Sequence, residues 1–150
     1  MKNIFTRRIS GIIFIVTGLL IAIGPQTVFK PCTALLELVS GRMVPMRCHW
    51  AAAAETGIGG AIAFLGLLLL FFPVGSKGSS QLRLGLSISL AVMGLVTVLL
   101  PTKLIGVCMT KTMECNLLML PMLMVLGSAV IAAALANVFL LYKEAASAGT

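Results

Sequence analysis

Gly18–Cys32, GLLIAIGPQTVFKPC, and Gly94–Cys108, GLVTVLLPTKLIGVC, place glycine, proline and cysteine at the same seven-residue intervals: Gly18, Pro25, Cys32 and Gly94, Pro101, Cys108. Each stretch is followed by a Met-x-Cys triplet, Met46-Arg47-Cys48 and Met113-Glu114-Cys115. In each copy a glycine then lies twelve residues beyond the second cysteine, at Gly60 and Gly127. An apolar stretch precedes each proline and another follows each second cysteine. The chain reads as two tandem copies of one unit: apolar segment, cysteine-bearing loop, apolar segment.

Composition says where such units live. Of 150 residues, 59% are apolar and only 10% charged, against about a quarter charged in soluble domains. Charges are absent from Ile9 to Phe29, Thr56 to Ser76, Leu84 to Thr102 and Cys115 to Tyr142, runs of 21, 21, 19 and 28 residues. A helix crosses the hydrocarbon core with about 20 apolar residues, so each run suffices for one span. A soluble core would show polar residues at helical period inside these runs, and they do not. The expectation is an all-α integral membrane four-helix bundle made of two tandem hairpins. It forms a single domain over 1–150, with spans near 8–25, 51–73, 84–101 and 117–142 and repeat units of about 8–73 and 84–142. Lys2, Arg7 and Arg8 ahead of an apolar stretch also fit a secretory signal, with Ala22-Ile23-Gly24 as its cleavage site. Pro25 directly after the cut is a poor position for the peptidase, and the first segment is the counterpart of the third, so we read it as a retained span.

Charge alone barely orients the bundle. With both termini cytoplasmic, Lys2, Arg7, Arg8, Lys77, Arg83 and Lys143 lie inside and Lys30, Arg42, Arg47, Lys103 and Lys111 outside. The cluster ahead of the first span favours this arrangement, since that span often sets topology. The cysteines agree: all four fall in loops 26–50 and 102–116, on one side of an even-span protein, where an oxidising compartment suits them. The expected location is the plasma membrane, multi-pass, with those two loops extracytoplasmic.

Cys32, Cys48, Cys108 and Cys115 permit three pairings. Cys32–Cys48 with Cys108–Cys115 is favoured because each repeat unit then carries its own bridge, contributing about 2–4 kcal/mol. A second reading is redox exchange. Four spans with two cysteine pairs in external loops are similar in layout to the bacterial quinone-linked disulfide-generating membrane oxidase. That class uses Cys-x-x-Cys, whereas the pairs here stand sixteen and seven positions apart. A third is soft-metal binding by Met43, Met46, His49, Met109 and Met113 with the cysteines, a ligand set suited to Cu(I). Met119, Met122 and Met124 look like core filler.

Glu55 is the residue most in need of explanation. It stands seven positions after Cys48, on the same helical face two turns deeper, and a carboxylate inside a span is a functional candidate by default. Its expected partners are Arg47, a proton or a cation. His49 and Trp50 sit where a span begins, tryptophan suiting an interfacial belt. Gly18 and Gly94 let another helix approach closely, and Asn137 is expected to hydrogen-bond across helices. Pro25 and Pro101 mark where the spans end. The basic outer loops favour anionic headgroups or an acidic partner. No phosphate-binding loop, nucleophile elbow or zinc-protease motif occurs, no cofactor is expected, and dispersed basic residues give nucleic-acid binding no support.

In Pro25…Cys32 and Met46-Arg47-Cys48-His49-Trp50, with Glu55-Thr56-Gly57 just after, the chain resembles a family of small four-span prokaryotic membrane proteins of unknown function. The resemblance covers nearly the whole chain and implies a fold without a chemistry. It also implies work beside larger membrane machinery such as ABC-type export permeases. The expected function is therefore a non-enzymatic accessory or interaction subunit in the bilayer, bound to other membrane subunits or to copies of itself. The membrane thiol-disulfide oxidoreductase and the small transporter or copper-handling protein are the alternatives.

Overall fold

In lipid no water satisfies the backbone, so a spanning segment must close its own hydrogen bonds, and each charge-free run has done so as helix. The computed structural model describes residues 2–28, 35–37, 41–45, 47–71, 77–106 and 115–147. Helix α1 is Lys2–Thr27, α2 is Arg47–Phe71, α3 is Lys77–Leu99 and α4 is Leu120–Ser147. A π-helical turn, Leu100–Leu104, prolongs α3, with the Ile105 amide donating to the Leu100 carbonyl at 2.9 Å, and a second π turn, Cys115–Met119, leads into α4. Within these elements Ile9–Thr27, Arg47–Phe71, Ser80–Leu104 and Cys115–Lys143 are each long and apolar enough to cross a membrane.

The boundaries differ from expectation in informative ways. Pro25 does not end α1, which runs two residues further, and Pro101 lies inside the π turn. Helix α2 starts at Arg47, because Cys48, Ala51 and Ala52 extend its buried face toward the N-terminus. The first connection holds a small antiparallel hairpin, β1 (Leu35–Glu37) with β2 (Met43–Pro45), in the register Leu36 opposite Val44. Gly41, between the strands, has φ +74°, a conformation that glycine adopts without a Cβ penalty.

On α2 the buried residues Cys48, Ala52, Glu55, Gly59, Ile62 and Gly66 recur at alternating steps of four and three. That 3.5-residue period is the seam of a left-handed bundle. The opposite faces are apolar as well: Ile12, Val16, Ile23, Phe64, Phe71 and Phe139 are all exposed. A helix apolar all round is what lipid requires. Met119 is buried, but Met122 and Met124, expected as filler, face outward.

Helix α1 packs chiefly on α2 and α3 on α4, while α2 with α3 and α1 with α4 close the ring around one core. Glycine makes the first pair close. A Cβ on Gly18 would lie 2.8 Å from the Gly59 carbonyl oxygen, and one on Gly59 would collide with the Ala22 backbone nitrogen. Gly94 and Gly127 face each other in the second pair. Gly60, the counterpart of Gly127 by spacing from the second cysteine, meets nothing within 4 Å; Gly59 is the glycine that faces Gly18. Gly59 is eleven residues after Cys48 and Gly127 twelve after Cys115. A π turn accommodates one extra residue, and Cys115–Met119 supplies it, so that both Cys115 and Gly127 face inward.

Several hydroxyls bond within their own helices. Thr17, Ser87 and Thr97 donate to the carbonyls of Ile13, Arg83 and Met93 at 2.7, 2.9 and 3.1 Å. Asn137 Nδ2 donates to Ser10 Oγ at 3.3 Å, tying α4 to α1. At the other end Gln26 Nε2 donates to Thr56 Oγ1 at 3.2 Å, tying α1 to α2.

Candidate functional site

The first three turns of α2 carry five of the residues that the sequence singles out, Arg47, Cys48, His49, Trp50 and Glu55, and helical periodicity sorts them by side. Arg47, His49 and Trp50 are exposed, Trp50 at 61%, with the two rings edge to face at a centroid separation of 6.0 Å. Cys48 and Glu55 are wholly buried. Seven residues apart, they share the inward face at a separation of about 10.5 Å along the axis.

Among the described residues Glu55 has no partner. Neither carboxyl oxygen is within hydrogen-bonding reach of any group among the described residues, so the expected pairing with Arg47 is not made. Thr56, its neighbour, accepts from Gln26, and Gly59, one turn on, abuts Ala22. Glu55 is therefore level with the Ala22–Gln26 turn of α1, which contains the fully buried Pro25. Helix α2 also touches the π turn that holds Pro101, equally buried. In the second hairpin Leu123 stands four residues before Gly127, as Glu55 stands four before Gly59, and both are at 0% exposure. One hairpin fills this layer with an isobutyl group and the other with a carboxyl. An isolated ionised carboxylate in such surroundings would cost on the order of tens of kcal/mol by Born solvation.

The cysteines are only partly in view. Cys48 is a free, buried thiol and Cys115 is buried at the start of its π turn. Cys32 and Cys108, their expected partners, lie outside the described residues, among which there is no disulfide. Exchange-competent thiols occupy partly exposed sites, which Cys48 does not. Of the soft ligands, Met46, Met109 and Met113 also fall outside the described residues, and Met43 is 64% exposed on β2. Among the described residues no three His, Cys, Asp or Glu side chains gather where a metal ion would be held.

The opposite end holds a feature that sequence reasoning passed over. Arg83, assigned simply to an inner loop, is 4% exposed on α3, one turn from buried Ser87. The signal was its spacing: Arg83 precedes Gly94 by eleven residues, as Arg7 precedes Gly18.

Four apolar helices around one core, with a solitary carboxyl in it, define a multi-pass integral membrane protein. Within that class the chain belongs to the family described as domain of unknown function (DUF4418), whose model matches residues 14–140. This agrees with the resemblance drawn from Met46–Trp50 and Glu55–Gly57. No curated protein and no solved structure matches the chain.

Proposed function

We propose that the protein is a non-catalytic interaction subunit of a larger complex in the plasma membrane, with both termini cytoplasmic and the Cys48 end outside. The observation that carries this reading is the β1–β2 hairpin. It displays Met43, at 64% exposure, and Val44 beside the exposed cation Arg42, with Arg47 following β2. An apolar pair next to basic groups is a surface that gains from being covered by a partner with an acidic rim. In the oxidised protein, bridges Cys32–Cys48 and Cys108–Cys115 hold the two loops over the bundle. The resemblance makes an ABC-type export permease the first partner class to try. Neither the oxidoreductase nor the copper-handling alternative is favoured by the burial of Cys48.

A photo-crosslinking residue at Val44, activated in native membranes, tests this. A discrete adduct with one membrane protein that also co-purifies, both lost in Met43→Glu with the chain still in the membrane, is the expected result. Labelling of lipid alone, with the chain folded, would overturn it.

A further inference from the structure

We propose that Glu55 is a proton-binding site inside the membrane, its side chain held as the neutral acid within the bundle. The argument starts from the chemistry of its layer. Pro25 and Pro101 have no amide hydrogen, so neither donates to the carbonyl four residues earlier, at Ile21 and Thr97. Both prolines are fully buried at the level of Glu55 and its counterpart Leu123. The prolines take two amide donors out of this layer, and a carboxylate would add a charge and two further acceptors. A carboxylic acid brings the missing donor and removes the charge.

Among the described residues no cation does the same work. Helix α1 bears no charge from Ile9 to Thr27, and the Cys115–Tyr142 stretch of the second π turn and α4 bears none. On the Pro101 π turn the only cation is Lys103, which is exposed, and on α2 itself Arg47 and His49 are exposed. Arg83, the buried cation, is at the far end of α3. A metal cation needs a shell of several oxygens, and Thr56 and Gln26, a hydroxyl and an amide on the neighbouring turns, bond each other. A proton needs one ligand. Glu55 lies eight residues into α2, about 12 Å from Arg47 along the axis, so the proton exchanges with the Cys48 end, past the small side chains of Ala51 and Ala52.

Two measurements on the full chain in lipid bilayers at neutral pH test the proposal. Infrared spectroscopy should show a protonated-carboxyl C=O band in the wild type that Glu55→Gln removes. Dicyclohexylcarbodiimide, an apolar reagent for carboxylic acids, should modify Glu55, while a water-soluble carbodiimide leaves it untouched. If Glu55→Gln fails to fold, the wild-type labelling decides alone. Absence of the acid band, a band unchanged in Glu55→Gln, or wild-type Glu55 resistant to the apolar reagent would overturn the proposal. This site is independent of the hairpin reading above, whose cross-linking test leaves Glu55 intact.

Discussion

The two hairpins cross on glycine in both cases, yet different atoms meet at the crossing. In α1–α2, Gly18 and Gly59 press on each other's backbones: the nearest atoms to an added Cβ are the Ala63 nitrogen, the Ala22 nitrogen and two carbonyl oxygens. Gly11 and Gly66 add a looser contact one heptad away, where Leu70 and Phe14 side-chain carbons come nearest, at 2.8 Å, and the Gly11 and Gly66 carbonyls lie at 3.2 and 3.3 Å. In α3–α4 the Gly94 and Gly127 carbonyls also come within 3.1 Å of an added Cβ, but the nearest atoms to it are side-chain carbons: Ile131 and Val130 Cγ1 at 3.0 Å for Gly94 and Val98 Cγ2 at 2.7 Å for Gly127. Side-chain carbons rotate away; a peptide nitrogen moves only if a helix moves. In lipid, where association rests on packing rather than on a hydrophobic drive, the first hairpin is the rigid half and the second the adaptable one.

The comparison breaks most sharply at one methyl group. Gly59→Ala should destabilise the bundle by about 3 kcal/mol, at the upper end of overpacking costs, because the added carbon collides with backbone. Gly94→Ala should cost about 1 kcal/mol, since its neighbours adjust. Steric-trap or denaturant unfolding in bicelles measures both. Equal losses would mean that the two crossings are alike after all.

A second contrast lies in the core layer, where Glu55 takes the place that Leu123 holds in the other hairpin. Glu55→Leu, which makes the halves alike there, should stabilise the bundle by about 1–3 kcal/mol by replacing an unpartnered polar group with an apolar one. The same change should abolish carboxyl labelling, the usual relation between a costly polar site and its function. Destabilisation by Glu55→Leu would show that the carboxyl is held by partners in the native membrane.

These contrasts explain what could be read in advance. Four spans were legible because charge-free runs of about 20 residues have few other uses. Which face points inward was not, because Phe64 and Phe71 on the lipid side are as apolar as Ile62 and Leu69 inside, so no periodicity separates them. Glu55 stood out by its charge, whereas its isolation depends on Arg47 turning to the surface, a matter of helical phase around a start four residues earlier than expected. The β1–β2 hairpin escaped notice because strands of three residues are too short to show an alternation. Arg83 was hidden by the habit of assigning every cation near a span end to solvent.

The smallest effect tests the finest of these distinctions. Spacing from the second cysteine pairs Gly60 with Gly127, but the twelve-residue interval after Cys115 contains a π turn and the interval after Cys48 does not. The extra residue rotates the following helix by about 100° relative to an unbroken one, so the inward glycine of α2 comes one position sooner. Gly60 consequently looks onto open space. Gly60→Ala should be neutral or stabilising, by on the order of 0.5 kcal/mol through reduced backbone entropy, beside the large loss at Gly59. A marked loss at Gly60 in the same unfolding assay would mean that another protein chain packs there in the membrane. The exposed face of α2, with Ala53 and Gly57 on it, would then be an interface rather than a lipid contact.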